Sequence, residues 1–352
     1  MYQTWIAFWW PMSTSAVTAL RITFTILSFL FVAASLASFR FANPAVRFLY
    51  WIAALWMGLA NFLFVGAVIA WLADLVLRFT VPTANRIGDR HSIAGSLLVL
   101  ALATAIYGLI NARVLRLRRV KVELPNLPAC WRDKHALLIS DTHLGHINGV
   151  GFARRIAEMA RELNPAVIFL AGDLFDGSKV DPEQAAAPIM GLKPPLGIYF
   201  VGGNHEAFGG SEHFEATLRK AGVHVLHNQS ALVDGVQIVG VPYGNSTYPL
   251  HLRAFLESLH LKNGSPSILL NHVPNRLPVA EHAGVSLQLS GHTHGGGQMF
   301  PFNLITRRAF GKFTYGLQRF GEMQVYTSSG AGTWGPPMRV GTHSEIVLLS
   351  FA

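Results

Sequence analysis

The stretch Ser140-Asp141-Thr142-His143-Leu144-Gly145 follows directly on the apolar run His135-Ala136-Leu137-Leu138-Ile139. A short apolar run bounded by turn-forming residues predicts a buried strand. Asp141 and His143 then lie at the carboxyl end of that strand. Because residues two apart in an extended chain point to the same side, their side chains can bind one metal ion together. Asp-x-His occurs often by chance, so the prediction depends on the stretches that follow.

Four later stretches repeat this pattern of an apolar run that ends in polar groups. The runs are 166–171, 198–201, 267–270 and 285–289, and they lead into Gly172-Asp173, Gly203-Asn204-His205-Glu206, Asn271-His272 and Gly291-His292-Thr293-His294. Ligands of open α/β sheets bind at the carboxyl ends of the strands. With helical spacing over 151–163 and 212–221, and further strands predicted at 223–226, 237–241, 325–327 and 345–351, the sequence predicts an α/β domain over 135–352.

The residue types of these polar groups predict two metal ions. Aspartate, asparagine and histidine suit Mn²⁺, Fe, Zn²⁺ or Mg²⁺ better than copper or an iron–sulfur cluster. Seven such groups exceed what one tetrahedral site uses, so two adjacent divalent ions are predicted, with Mn²⁺ preferred. Gly172, Gly203 and Gly291 lie beside these groups and allow tight turns and close backbone approach.

The N-terminal third predicts a membrane anchor. The mean hydropathy of the whole chain is +0.35, which is too apolar for a single soluble domain. Residues 22–39, 48–73 and 92–114 form three apolar segments, and a membrane-spanning helix needs ~20 such residues. A hairpin within 48–79 would give four spans instead. Met1–Trp10 is too short to span, and its tryptophans predict an interfacial segment.

The predicted domain organisation is therefore an anchor over 1–123, a linker over 124–134 that begins Leu124-Pro125-Asn126-Leu127-Pro128, and a soluble domain over 135–352. With three spans, seven basic residues lie on one side of the membrane: Arg40, Arg47, Arg113, Arg116, Arg118, Arg119 and Lys121. Arg78, Arg86 and Arg90 lie on the other side. The positive-inside rule places the larger group, and hence the domain, in the cytoplasm of a multi-pass inner or plasma membrane protein.

Charge and cysteine usage exclude some classes. Residues 1–124 hold 11 Lys/Arg and three acids, a net of +8, so that +1 of the total +9 remains for the rest of the chain. Such a balance provides little attraction for phosphate backbones, and no nucleic-acid partner is expected. Cys130 is the only cysteine, so an intrachain disulfide is impossible. Only one histidine, His91, precedes residue 130, which again indicates metal or acid–base chemistry in the C-terminal part.

The order and approximate spacing of these motifs over 135–350 resemble the calcineurin-like metallophosphoesterase superfamily, and within it a membrane-anchored bacterial branch. The tail Gly330-Ala331-Gly332-Thr333-Trp334-Gly335-Pro336-Pro337-Met338-Arg339 resembles that branch too. The resemblance implies a four-layer αββα sandwich. It also implies that Asp141, His143 and His294 bind one metal, that Asn204, His272 and His292 bind the second, and that Asp173 bridges the two. His205 is then expected to protonate the leaving oxygen.

Further roles are assigned around this set. Asp176 is expected to orient a ligand histidine, with a surface acid as the alternative. Glu206 and His146 are expected to have structural or substrate-rim roles. Arg339 is expected to hold a phosphate, with an exposed arginine near a turn as the alternative. Gln298 is a second candidate substrate residue, although Gly295-Gly296-Gly297 has one small residue more than the resemblance predicts.

The sequence thus predicts a membrane-bound two-metal phosphoesterase. Two ions ~3.5–4 Å apart can lower the pKa of a bridging water and clamp the phosphoryl oxygens during attack. The anchor favours a membrane lipid setting and an amphiphilic or lipid-linked substrate, although a phosphorylated small molecule is also compatible. One alternative is the same chemistry on envelope substrates outside the cytoplasm. Another is a catalytically silent binding or regulatory protein, which the complete ligand set and the absence of ionisable residues in the middle of the spans disfavour.

Overall fold

The structure is a computed structural model that describes residues 12–82, 86–261 and 265–352. The predicted interfacial segment Met1–Trp10 lies outside the described residues. Contacts divide the chain into two units. The first contains the chain up to Asn111 together with Gly335–Met338, and the second contains Ala112–Trp334 and Arg339–Ala352.

The first unit consists of long apolar helices: α1 (Thr14–Arg40), α2 (Pro44–Thr80) and α3 (Arg86–Arg113). The Asn43 side chain caps α2 by accepting from the Val46 amide at 2.9 Å, and Pro44 occupies the first helical turn. Thr14–Arg40, Pro44–Thr80 and Gly88–Arg113 are long and apolar enough to cross a membrane, which confirms three predicted spans. Because α2 is continuous, the alternative with a hairpin inside it is wrong.

A buried acid connects two of these helices. Asp74, near the end of α2, accepts hydrogen bonds from Arg78 one turn later and from Arg90 near the start of α3. Its carboxylate is almost inaccessible to solvent, and burying a charge is tolerated only when partners of opposite sign compensate it. Asp74, which lies at one end of the second span, therefore has a structural role between α2 and α3.

The second unit contains two six-stranded sheets. Its strands are β1 (Leu115–Val122), β2 (His135–Ile139), β3 (Val167–Ala171), β4 (Ile198–Val201), β5 (His224–Val225), β6 (Gln229–Val233), β7 (Val236–Val241), β8 (Ser267–Asn271), β9 (Leu287–Ser290), β10 (Gly316–Phe320), β11 (Met323–Thr327) and β12 (Ser344–Phe351). One sheet has the order β1-β12-β2-β3-β4-β5, and the other has the order β10-β11-β9-β8-β7-β6. In the first sheet the β12–β2 pair is antiparallel and the other pairs are parallel. In the second sheet the two outer pairs are antiparallel and the inner pairs are parallel.

An α-helix follows six of the twelve strands. The α-helices of this unit are α4 (Val150–Leu163), α5 (Pro182–Met190), α6 (Asn204–Gly209), α7 (Ser211–Lys220), α8 (Tyr243–Ser246), α9 (Pro249–Ser258), α10 (Leu277–His282) and α11 (Phe302–Phe310). Three apolar cores separate four layers. Ile156 of α4 and Leu218 of α7 pack on the outer face of the first sheet, where Leu137 lies. Leu252 of α9 packs on the outer face of the second sheet.

The middle core lies between the sheets. Leu138 and Phe169 of the first sheet share it with Ile268 and Leu289 of the second. Residues of β2 therefore alternate between two cores, Leu137 outward and Leu138 inward, which explains why the strand is apolar throughout its length. The four layers confirm the predicted αββα sandwich.

The boundary between the two parts differs from the prediction of an anchor to residue 123 and a domain from 135. Leu115–Val122 is a strand that pairs in parallel with β12 over its whole length. It begins two residues after α3 ends. Leu115 and Leu117 pack against the outer core while Val120 and Val122 reach the inner one, and the basic residues between them are exposed. The basic cluster is therefore part of an edge strand, where charged side chains discourage pairing with other chains.

The segment expected to be a linker is also structured. It contains a 3₁₀ turn, Ala129–Trp131, and the Trp131 ring is fully buried against Phe351 with centroids 5.4 Å apart. The indole donates to the Val233 carbonyl at 3.2 Å. Leu124, Leu127 and Trp131 thus belong to the inter-sheet core, and the proline-rich segment that was predicted to be a linker forms the connection between β1 and β2.

Candidate metal centre

Each predicted ligand lies just beyond the carboxyl end of a strand, and the two sheets bring these ends together. Asp141 and His143 follow β2, and Asp173 follows β3. Asn204 begins α6 directly after β4. His272 follows β8, and the pair His292 and His294 follows β9. The two sheets therefore contribute to one site, because β2, β3 and β4 belong to the first and β8 and β9 to the second.

Asp141, His143 and His294 form one group of potential ligands, with donor atoms within 4.8 Å of one another. The Nε2 atoms of His143 and His294 lie 3.2 Å apart, and His294 Nε2 lies 3.8 Å from Asp141 Oδ1. Asp141 is held in place because both of its carboxylate oxygens accept from the His292 amide, at 2.9 and 3.1 Å. These are the residues that the resemblance assigns to the first metal.

The second group contains Asp173, His272 and His292. The amide oxygen of Asn204 joins it, at 2.8 Å from His292 Nδ1 and 3.2 Å from His272 Nε2. His272 Nδ1 donates to the Ala171 carbonyl at 2.8 Å, which leaves the Nε2 lone pair directed at the site. This is the arrangement in which a neutral imidazole binds a metal.

Asp173 lies between the two groups. Its Oδ2 atom is 3.2 Å from His272 Nε2, 3.9 Å from His143 Nε2 and 4.0 Å from His205 Nε2. Its other oxygen accepts from the His205 amide at 2.9 Å. One carboxylate oxygen thus faces histidines from both groups, as a bridging ligand must.

The electrostatics of the protein groups alone fit divalent cations. Burial, followed by the charge of Arg339 for His294 and of His205 for His143, holds the pKa of both histidines well below the usual range. Burial also lowers the pKa of His292 to about 4. These imidazoles are neutral at pH 7 and have free nitrogen lone pairs, as metal ligands require.

The acids of the site call for positive charge. Burial raises the pKa of Asp141 to about 6. Burial alone would raise the pKa of Asp173 and lower that of His272, but their mutual attraction outweighs it and has the opposite effect, bringing His272 to about 10. The Asp173 carboxylate thus keeps a proton on His272, because the buried site favours a positive charge beside the carboxylate. A divalent ion satisfies the same demand.

The backbone of the site is strained at most of the predicted ligands. Positive φ values, which non-glycine residues rarely adopt, occur at Asp141 (50°), His143 (47°), Asp173 (52°), His292 (69°) and His294 (49°). Each such residue costs about 1–3 kcal/mol and persists only where its surroundings impose it. Concentration of this strain in one cluster is typical of a functional site.

The glycines beside the ligands are required by close approach. A Cβ on Gly203 would lie 2.1 Å from Asp173 Oδ1, and one on Gly291 would lie 2.2 Å from Asp141 Oδ2. One on Gly172 would lie 2.5 Å from His272 Nδ1, and φ there is +85°. A side chain at any of these three positions would therefore displace a ligand.

His205 adjoins the metal ligands and is fixed by the backbone. Its Nδ1 donates to the Asp176 carbonyl at 2.9 Å, so Nε2 faces Asp173. Asp176 was expected to orient a ligand histidine. Instead, its carbonyl orients His205, while its carboxylate accepts from the amides of His146 and Ser178. Burial raises the pKa of Asp176.

Glu206 organises the loop that carries Asp173. Its buried carboxylate accepts from the amides of Asp173, Phe175 and Gly203 at 2.7–2.9 Å. Burial, then repulsion from Asp173, raises the pKa of Glu206 to about 7. Its role is structural, which is one of the two roles, structural or substrate-rim, expected from the sequence. His146 is also buried.

The two predicted substrate residues serve the loops around the site. Arg339 is fully buried and donates to the carbonyls of His343, Gly330 and Gly332, so the alternative of an exposed arginine is wrong. The Gln298 amide makes two hydrogen bonds to the backbone of Trp334, at 2.7 and 3.0 Å. Both residues therefore shape the 330–334 loop. Any contact of theirs with substrate stays a prediction.

An aromatic rim was not anticipated from the sequence. Trp334 lies over His205 with ring centroids 5.2 Å apart, and Phe208 lies 6.3 Å from the same ring. On the other side, Tyr243 and Phe310 lie 6.4 and 6.0 Å from His292. These four residues come from separate segments without a shared spacing, so a linear pattern could not identify them.

Sequence comparisons match this chain to metallophosphoesterases. Residues 134–296 match the family model described as calcineurin-like phosphoesterase. A Danio rerio protein named transmembrane protein with metallophosphoesterase domain is 32% identical over 322 residues, covering 83% of this chain and 72% of the relative. A metallophosphoesterase of Campylobacter jejuni is 31% identical over 262 residues, covering 72% and 68%. Among solved structures, a dimetal phosphatase from Danio rerio has a TM-score of 0.39 at 11% identity, covering 57% of this chain and 89% of that one.

Proposed function

This chain belongs to the calcineurin-like phosphoesterase family and is a metal-dependent phosphoester hydrolase of the membrane, and from that premise we propose a specific activity. The enzyme hydrolyses the phosphoester or pyrophosphate bond of an amphiphilic or lipid-linked substrate at a two-metal centre. The observation that carries this proposal is Asp173 Oδ2, which faces His143 of one ligand group and His272 of the other.

The proposed ligand sets are Asp141, His143 and His294 for one ion, and Asn204, His272 and His292 for the other, with Asp173 shared. Two divalent ions there, for which we propose Mn²⁺, supply Lewis-acid activation of water and neutralise charge on the phosphoryl oxygens. Around them, the low pKa values of His143, His292 and His294 keep the imidazoles available as ligands near neutral pH.

His205 is the proposed general acid. The Asp176 carbonyl accepts its Nδ1 proton, which orients the ring. A proton on Nε2 then points toward Asp173 and the space shared by both ligand groups. From that position His205 protonates the leaving oxygen as its bond to phosphorus breaks. The Trp334 ring beside it excludes water from one side.

The membrane anchor supports the substrate class. Three helices long enough to span a bilayer precede the catalytic unit, and β1 starts two residues after the last of them ends. An enzyme attached so closely meets lipid-linked phosphoesters at a high local concentration. The seven basic residues counted on one side of the membrane support a cytoplasmic catalytic unit.

The test is hydrolysis by full-length wild type and Asp173→Ala in detergent, with Mn²⁺ or with EDTA. The substrates are p-nitrophenyl phosphate, its bis-ester, phospholipids and UDP-diacylglucosamine. We expect turnover that requires the metal and is lost in Asp173→Ala, with the amphiphilic substrates preferred. The matched control is Asp133→Ala, which removes an exposed carboxylate from the same unit and should keep full activity.

Two results would contradict the proposal. If metal-loaded wild type turns over nothing that Asp173→Ala does not, the binding or regulatory alternative replaces hydrolysis. If only soluble esters are cleaved, the lipid-linked substrate class is wrong while the chemistry stands. Protease accessibility of the catalytic unit in sealed vesicles separates the cytoplasmic orientation from the alternative on the other side of the membrane.

A further inference from the structure

The helix α11 has an apolar face that is exposed to solvent. Ile305 is 67% exposed, Leu304 57% and Phe302 46%, and no side chain of the helix is buried. At 100° per residue, Phe302, Ile305 and Ala309 lie on one side of the helix. Leu304 lies on the other side, between Arg307 and Arg308, and is also exposed. A surface helix normally presents its polar residues to solvent and buries its apolar side, whereas the apolar side of α11 is exposed.

The charges on and after this helix all have one sign. Arg307, Arg308 and Lys312 are present, and the chain contains no acid from Met299 to Gly321. Arg307 and Arg308 are exposed, and neither forms an ion pair with an acid among the described residues. An apolar face of Phe302, Ile305 and Ala309, with Arg308 at its border and Arg307 on the far side of the helix, complements a surface that is anionic above and apolar below.

The same helix adjoins the metal centre. The Phe310 ring lies edge-on to His292, with centroids 6.0 Å apart. The loop after His294 packs directly on the helix backbone, because a Cβ on Gly297 would lie 2.9 Å from the Asn303 amide nitrogen. Gly295, Gly296 and Gly297 all have positive φ. The additional glycine noted in the sequence therefore accommodates α11 beside the ligand loop.

From these three observations we propose that α11 is an interfacial helix that inserts Phe302 and Ile305 into the headgroup region of an anionic lipid bilayer. The occupant of the apolar face is lipid, because the chain itself carries three helices suited to a bilayer and because the flanking charges are all basic. Insertion brings the rim of the metal centre to the lipid surface, since Phe310 ends the helix beside His292.

The test measures lipid contact and does not require catalysis. Cys130, the only cysteine, is replaced in the background Cys130→Ser, and Ile305→Cys then carries a fluorophore. The full-length protein is placed in nanodiscs of phosphatidylcholine and phosphatidylglycerol that contain doxyl-labelled lipid as quencher. The matched control is Leu232→Cys on β6, because Leu232 is a similarly exposed aliphatic residue (72%) outside α11. Circular dichroism checks that both variants fold.

We expect doxyl lipid to quench the label at position 305 several-fold more strongly than the label at position 232. Arg307→Glu combined with Arg308→Glu should reduce this quenching, and so should replacement of phosphatidylglycerol by phosphatidylcholine. Equal quenching at the two positions would overturn the proposal. So would a label at 305 shielded from both doxyl lipid and aqueous iodide, because a protein partner or a second copy would then cover the helix. The quenching measurement does not depend on catalysis, so an absence of hydrolysis would not change its outcome.

Discussion

The Nε2 atoms of His143 and His294 lie 3.2 Å apart, with both rings buried and both pKa values well below the usual range. Two neutral imidazole nitrogens at this distance need a proton or a cation between them. We therefore expect His294→Ala to lower Mn²⁺ affinity by more than the ~10–100-fold typical of losing an outer partner of a ligand. Metal content after dialysis and titration calorimetry measure this. His251→Ala, an exposed histidine, is the control, and unchanged metal content in His294→Ala would exclude His294 as a ligand.

His205→Asn separates proton donation from metal binding. We expect kcat for an alkyl phosphoester to fall by ~10²–10⁴-fold, because the alkoxide leaving group needs a proton. For p-nitrophenyl esters the loss should be much smaller, since p-nitrophenolate leaves without protonation. Metal content should remain that of wild type. Loss of metal in the variant would make His205 a ligand. Equal slowing of both esters would contradict its role as the proton donor.

Glu206→Gln tests the support of the Asp173 loop. The carboxylate accepts three backbone N–H hydrogen bonds. In the variant, an NH₂ group replaces one oxygen, so at least one of these N–H groups loses its acceptor. Hydrogen bonds to a charged group contribute about 1.5–3 kcal/mol each, so we expect a clear fall in the thermal unfolding temperature of the detergent-solubilised protein. Glu212→Gln, which changes an exposed glutamate of α7, should leave it unchanged. Equal temperatures for the two variants would refute this role.

Gly203→Ala tests close packing against the proposed bridging ligand. The added Cβ would lie 2.1 Å from Asp173 Oδ1 and 2.6 Å from the Asp173 amide nitrogen, so the loop must shift. We expect loss of activity together with loss of at least one metal ion per chain. Gly244→Ala in α8 is the matched control, because a Cβ there meets nothing within 4 Å. Retention of both metals by Gly203→Ala would show that Asp173 can move without leaving the centre.

The sequence predicted the parts of this molecule that depend on local pattern. Buried parallel strands are apolar on both faces, so β2, β3 and β8 were identifiable from composition. The polar residues just after these strands indicated the edge of the sheet at which the site lies. The two-sheet pairing followed only from the family resemblance. β1 was missed because its Leu/Arg alternation follows directly on a membrane helix, where basic residues have an independent explanation.

Other features depend on distant parts of the chain. The positive φ values at Asp141 and Asp173 are imposed by tertiary contacts, and local preference gives no sign of them. Gln298 and Trp334 lie 36 residues apart, and their pairing holds the rim beside His205. Helix α11 has an ordinary amphipathic pattern, and only the structure reveals that its apolar side faces outward.

The pairing of β1 with β12 has a consequence for biosynthesis. β12 lies between β1 and β2, so β1 has no strand partner, and β2 lacks one of its two, until Ser344–Phe351 has been translated. During that interval the nascent chain holds a basic, unpaired strand directly beside its last hydrophobic helix. Pairing between strands that are far apart in the sequence forms slowly. The charges of β1 therefore discourage the unpaired strand from pairing with other chains while the ribosome completes the sheet.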